Sequence, residues 1–176
     1  HHGLFRIPLG VISSRVEAFM HLYLVQHGDA LSKDEDPSRP LSDKGRQDVG
    51  RMAAFLARTR PAISRVVHSG KVRAMQTALV FAETLGPGRM VEEATEGLAP
   101  EDSPTFVADV VNDWTEDTML VGYLPHLARL AGLLLTGDTD ETVVHFQPGT
   151  VVCLERGENG GGWTVTWAVR PELLGG

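Results

Sequence analysis

The stretch Leu22-Tyr23-Leu24-Val25-Gln26-His27-Gly28-Asp29-Ala30 decides how the rest of the chain is read. An apolar run stops abruptly at Gln-His-Gly-Asp. Such a run, closed by a glycine, is the pattern of a strand buried on both faces, as in a parallel sheet. It puts His27 at the strand's C-terminal end, the edge where open α/β sheets bind ligands. A histidine there can act as a nucleophile toward phosphorus when a backbone carbonyl holds its other ring nitrogen. Gly28 beside it has no side chain, which would let a phosphate approach the backbone closely.

Outward from that strand, which starts at Met20, the pattern alternates between strand and helix. Ser32 to Pro40 is polar and proline-bearing, hence a loop. Ser42 can cap a helix that runs to about Arg58, with Val49, Met52, Ala53, Leu56 and Ala57 on one face. Ile63 to Val67 reads as a second strand. A second helix is expected from near Ser69 to about Leu85, stopped by Gly86-Pro87-Gly88. Met90-Val91 is a brief strand, and Glu92 to Pro104 is acidic and irregular. Pro104 to Trp114 reads as helix, and Thr118 to Val121 as strand. Gly122-Tyr123-Leu124-Pro125 then turns into a helix over Leu127 to Leu135 that ends at Gly137. Val143 to Phe146, Thr150 to Glu155 and Trp163 to Val169 read as strands, the last two joined by a glycine-rich hairpin turn. This order predicts an α/β, single-domain, three-layer α/β/α architecture: a mostly parallel sheet with an antiparallel edge.

A chain of 176 residues with 42% hydrophobic content fits one domain with a packed core. The expected boundaries are a tag- or vector-derived leader over 1–19, which begins His1-His2-Gly3, a domain over 20–170 and a tail over 171–176. A net charge of -7 argues against a general nucleic-acid binder and against an anionic-membrane binder. No apolar run reaches membrane-spanning length, so neither nucleic acid nor membrane is expected as a partner, and the cytoplasm is the default location. The one cysteine, Cys153, forbids an intrachain disulfide and reads as a buried thiol among Val151, Val152 and Leu154.

The second chemical segment is Val67-His68-Ser69-Gly70-Lys71-Val72-Arg73-Ala74-Met75-Gln76-Thr77-Ala78, a strand end feeding a helix. The helix N-terminus offers free N–H groups, and Arg73 in its first turns adds a bidentate cation for an anion. Arg39-Pro40-Leu41-Ser42-Asp43-Lys44-Gly45 is a loop closing on a helix cap; Arg39 either leans over the pocket or stays solvated. His126, at the start of a later helix, either turns into the pocket or sits exposed on the helix.

Taken in order, these segments resemble the histidine phosphatase superfamily, and within it the compact SixA-type branch of phosphohistidine phosphatases. Gln26-His27-Gly28 is similar to its Arg-His-Gly signature, with glutamine in place of the arginine. Arg73-Ala74-Met75-Gln76-Thr77-Ala78 is similar to Arg-Ala-x-Gln-Thr-Ala, and Arg39-Pro40-Leu41-Ser42 to Arg-Pro-Leu-Thr. Val121-Gly122-Tyr123-Leu124-Pro125 is similar to the segment of the family's second histidine, with Tyr123 in its position.

The resemblance implies a phosphoglycerate mutase-like fold and a reaction without metal or organic cofactor. It makes His27 the phosphoryl acceptor, with Arg73 and Tyr123 beside it as catalytic residues. Gln26, Gly28, Arg39, Lys71 and His126 would bind substrate. The proton donor would come from Glu92, Glu93, Glu96, Glu101 or Asp102, with Asp29 as the alternative. Small size without a large cap implies an open pocket, suited to a phosphorylated protein or a small phosphate ester rather than an enclosed sugar phosphate. Two readings follow. One is a hydrolase of phosphohistidine or phosphomonoesters working through phospho-His27, weakened by Gln26 and Tyr123. The other is a pseudophosphatase that binds a phosphorylated protein or phosphate ligand without turning it over.

Overall fold

The structure, a computed structural model, describes residues 19–99, 101–157 and 161–175. The apolar run of the first strand, β1 (Met20–Gln26), is buried on both faces. Leu22 and Leu24 point to one side and Tyr23 and Val25 to the other, as strand periodicity requires. The first pair packs with helices α3 (Pro104–Asn112) and α4 (His126–Thr136) through Val107, Val111, Leu127 and Leu130. The second pair packs with α1 (Asp43–Arg58) and α2 (Val72–Leu85) through Val49, Met52, Ala78 and Phe81. Two separate apolar clusters therefore sandwich one sheet, which is the expected three-layer architecture.

The remaining strands are β2 (Arg65–His68), β3 (Met90–Glu93), β4 (Thr118–Gly122), β5 (Val151–Arg156) and β6 (Trp163–Val169). Their order in the sheet is β3-β2-β4-β1-β5-β6. The first four are parallel to one another, β5 runs antiparallel to β1, and β6 antiparallel to β5. β1 lies where the parallel part meets the antiparallel edge, with β4 on one side and β5 on the other. The backbone after β1 is clamped from both: His27 N–H donates to Gly122 O at 3.0 Å, and Gly149 N–H donates to Gln26 O at 3.0 Å.

Several expectations are corrected. Val143 to Phe146 is not a strand. Both edges of β1 are already taken, and this segment instead lies over α4. A methyl added at Gly132 would meet the Glu141 carbonyl at 2.4 Å, and Phe146 is buried in the core between sheet and helix. Val144 and Phe146 pack into the cluster shared by the sheet and α4, while Val143 is exposed. α2 starts at Val72 rather than near Ser69, because Gly70 adopts φ +91° and keeps Ser69 to Lys71 out of helical geometry. Glu92 and Glu93 belong to β3 and not to the irregular loop. Within the expected tail, Pro171–Leu174 forms a 3-10 turn with Pro171 buried and Leu174 packed on the α1 and α2 cluster. The leader over 1–18 and the turn residues 158–160 lie outside the described residues. Cys153 is buried, and burial raises its thiol pKa. No helix among the described residues is long and apolar enough to cross a membrane.

Candidate active site

His27 sits at the C-terminal end of β1 and is 8% exposed. Its Nδ1 lies 2.7 Å from Gly28 O. A carbonyl can only accept, so Nδ1 carries the proton and Nε2 keeps its lone pair. Arg73 Nε–H donates to that Nε2 at 3.3 Å. Burial is the largest cause holding His27 below the ordinary histidine pKa; the cations Arg73 and Arg39 push the same way, against the Gly28 hydrogen bond and Asp29. The ring is therefore neutral at neutral pH, and its free lone pair points toward a guanidinium.

The Arg-Ala-x-Gln-Thr-Ala stretch divides its work along α2. Arg73 reaches His27. Gln76 Oε1 accepts from Leu41 N–H at 2.7 Å, which ties the Arg39 loop to the helix. Thr77 Oγ1 accepts from Gly28 N–H at 3.1 Å and donates to Arg73 O at 2.8 Å, so one hydroxyl couples the His27 turn to the Arg73 turn. Ala74 and Ala78 are fully buried in the cluster shared with α1. The loop before α1 is equally determined. Ser42 Oγ donates to Asp29 Oδ2 at 2.6 Å and accepts from Gly45 N–H at 3.0 Å. Gly45 passes so close to that turn that an added methyl would lie 2.0 Å from Asp29 O.

Arg39 bonds to Leu31 O through Nε at 3.0 Å and is close enough to lower the pKa of both His27 and Arg73. Arg39 is thus half-buried near the His27–Arg73 pair, and it is not among the residues that line the cavity beside Tyr123. Tyr123, after β4, is buried, with its ring centroid 5.7 Å from Arg73 Cζ. Burial raises its pKa, and the phenol is neutral. Gln26 is buried, and its Oε1 has no partner.

A cavity of about 370 Å³ opens beside this group, lined by Ser69, Lys71, Glu96, Leu98, Asp102 and Tyr123 among others. Tyr123 is common to the cavity and the His27–Arg73 pair. The acids separate here. Glu92 is paired with Arg65 at 2.9 Å, and Asp29 is engaged by Ser42, while Glu96 and Asp102 face the cavity, Asp102 with its Oδ2 accepting from Ala99 N–H at 2.9 Å.

Two expected site residues are held in packed surroundings. A methyl added at Gly28 would strike Val49 at 2.6 Å, so the missing side chain is needed for packing against α1. His126 is neither exposed nor a lining residue. It is 3% exposed, its Nε2 has no partner, and burial lowers its pKa against an opposing pull from the Gly97 carbonyl and Asp102. Two residues were missed. Ser69 has a buried Oγ without a partner and lines the cavity. Thr77 was visible only as part of a motif. Among the described residues, no cluster of three or more His, Cys, Asp or Glu is arranged to hold a metal ion.

A family model of the histidine phosphatase superfamily (branch 1) matches residues 22–99. Phosphohistidine phosphatase SixA of Escherichia coli (strain K12) is 27% identical over 161 residues, covering 86% of this chain and 94% of that protein. An uncharacterised protein of Picosynechococcus sp. is 31% identical over 128 residues, covering 68% of this chain and 76% of its own. Among solved structures, the protein histidine phosphatase SixA complexed with tungstate matches with a TM-score of 0.76 at 26% identity, covering 88% of this chain and 99% of that one. The architecture is accordingly the phosphoglycerate mutase-like α/β fold.

Proposed function

This chain belongs to the histidine phosphatase superfamily, and we propose that it hydrolyses phosphohistidine and related phosphate esters through a phospho-His27 intermediate. The single observation that supports this reading is the tautomer: Nδ1–H of His27 is fixed on Gly28 O at 2.7 Å, which leaves an unprotonated Nε2 facing Arg73. The similarity to SixA, described as a phosphohistidine phosphatase, favours that substrate class.

The steps balance as follows. Arg73 turns from Nε2 to the incoming phosphoryl oxygens. The Nε2 lone pair forms the new bond to phosphorus as the bond to the leaving nitrogen or oxygen breaks. The leaving group takes a proton from Glu96 or Asp102, the acids that face the cavity. Water then attacks phosphorus, returns a proton to that carboxylate, and releases orthophosphate with the Nε2 lone pair restored. Arg73, Arg39 and Lys71 neutralise the charge on the oxygens, where positioning and electrostatics supply most of the catalysis.

Gln26 and Tyr123 favour a second reading, a module that binds phosphoryl groups without turning them over. Neither side chain carries a positive charge, and among the described residues Arg73 is the one guanidinium hydrogen-bonded to His27. Phosphate release from a phosphohistidine peptide and from p-nitrophenyl phosphate, by wild type and by His27→Ala, separates the two. Turnover that vanishes in the variant is expected. Turnover retained in His27→Ala rules out the covalent route, and no turnover with oxyanion binding intact establishes the binder.

A further inference from the structure

The phosphoryl chemistry leaves one large feature unused. A groove of about 450 Å³ runs between the β2–β3 side of the sheet and α3. Val67 and Leu120 on the sheet face Phe106, Val107 and Val110 on the helix across it. Phe106 is 45% exposed, and Val110 follows one turn later on the same side of α3. Together these side chains form a contiguous apolar surface rimmed by polar residues, the character of an interaction site. The outer wall is fixed: Arg65 bonds to Glu92 at 3.0 and 2.9 Å and lies 4.8 Å from the Trp114 ring.

Three observations identify the occupant. The groove shares Ala94, Thr95, Glu96 and Leu98 with the cavity beside His27, so whatever enters it is contiguous with the reacting phosphoryl group. Its rim is acidic, through Glu93 and Glu96, with Asp102 beyond, which disfavours a second anionic group and favours lysine or arginine. Finally, β3 is an edge strand of the sheet and, among the described residues, pairs with a strand on its β2 side alone. Its outer edge offers backbone groups to an extended chain.

We propose that this groove receives a large apolar side chain from an extended, basic segment flanking the phosphorylated residue of a protein substrate. The proposal rests on the phosphatase reading for what occupies the adjoining cavity, and it specifies the substrate class for that site.

The test compares two phosphohistidine peptides, each with a lysine near the phosphorylated residue. One carries phenylalanine two residues away, and the other carries alanine there. With wild type, the phenylalanine peptide should show a KM lower by about tenfold or more, the scale set by burying an aromatic side chain. In Phe106→Asp and in Val110→Asp that difference should disappear, while kinetics on acetyl phosphate, too small to reach the groove, stay unchanged. Equal KM for both peptides overturns the proposal, as does a preference that survives both variants. An equal gain with hexyl phosphate over methyl phosphate would reassign the groove to small apolar esters and overturn the peptide assignment. Binding of the same peptides, as non-hydrolysable phosphohistidine analogues, to His27→Ala reads the groove without turnover. Preference there with an inactive wild type sinks the phosphatase reading and keeps the groove; turnover without preference sinks the groove alone.

Discussion

Replacing Tyr123 by histidine should raise the rate, and the size and pH range of the gain follow from the site. The phenol offers one O–H donor and no charge, and burial keeps it neutral. An imidazolium at the same place would add a charge-assisted donor to the moving oxygens, where one preorganised donor is worth about 10²–10³ in rate. Two effects offset the gain. The contact of Arg73 with the Tyr123 ring is lost, about 0.5–1 kcal/mol. The new ring also stands close to a guanidinium, at the 5.7 Å that now separates Arg73 Cζ from the phenol centroid. Two like charges at that separation repel by about 3 kcal/mol at an effective dielectric of about 20, which weakens the imidazole's hold on its proton by about a hundredfold.

A bound phosphoryl dianion cancels much of that repulsion, so the gain should appear in kcat more than in KM. We expect kcat on p-nitrophenyl phosphate to rise by about 10- to 100-fold near pH 6, shrinking toward wild type by about pH 8 as the imidazolium is lost. Burial holds His27 below the ordinary histidine pKa, so its own protonation erodes the gain in mild acid less than an unperturbed imidazole would. Tyr123→Phe keeps the ring beside Arg73 and removes only the hydroxyl; its kcat should fall by up to about tenfold. A folded Tyr123→His with unchanged kcat at every pH, together with Tyr123→Phe indistinguishable from wild type, would refute the placement of residue 123 against the reacting phosphoryl group.

Three further outcomes are expected. Gly45→Ala should cost about 1–3 kcal/mol in urea unfolding, because its methyl would lie 2.0 Å from Asp29 O and the turn must shift to admit it. Thr77→Val keeps the shape but strands the buried Gly28 N–H; a loss of about 1–3 kcal/mol is expected, with Thr77→Ser restoring both stability and activity. Finally, the fold should weaken in mild acid. His27, His68 and His126 all hold their protons less tightly when folded, chiefly through burial. Their contribution is fully present above the unfolded histidine pKa of about 6.5 and is lost as pH falls toward their lower folded values. A urea midpoint lower at pH 5.5 than at pH 7.5 is expected, and equal midpoints would contradict the assignment.

Much of this could be read from residues because the decisive signals were local. The run into His27, the Ser42 cap and the Arg73 helix each depend on neighbours in sequence, and β1 and α1 formed where their patterns put them, while α2 kept its expected end at Leu85 and began three residues late. The misreadings came from tertiary contacts. Val143 to Phe146 has a strand's composition, but Val144 and Phe146 are taken up by the cluster between the sheet and α4, and Val143 is left exposed. The packing need at Gly28, whose open side faces Val49, was not visible in sequence. His126 was weighed as solvent-facing or pocket-facing, and it lies beneath neither. The choice among six carboxylates could not be made from composition, since it depends on Arg65 reaching Glu92 and Ser42 reaching Asp29 across the fold. Ser69 carried no signal of its own, because an orphaned hydroxyl becomes visible only once its surroundings are in place.

The covalent role of His27 is tested most directly by trapping the intermediate. Wild type is mixed with a phosphohistidine peptide or acetyl phosphate, quenched within its first turnovers in alkali, where a phosphoramidate survives, and digested for mass spectrometry. One phosphoryl group on the peptide containing His27, absent from His27→Ala and lost at the rate of turnover, is the predicted result. Turnover without any phosphorylated His27, or with the label on another residue, would contradict it.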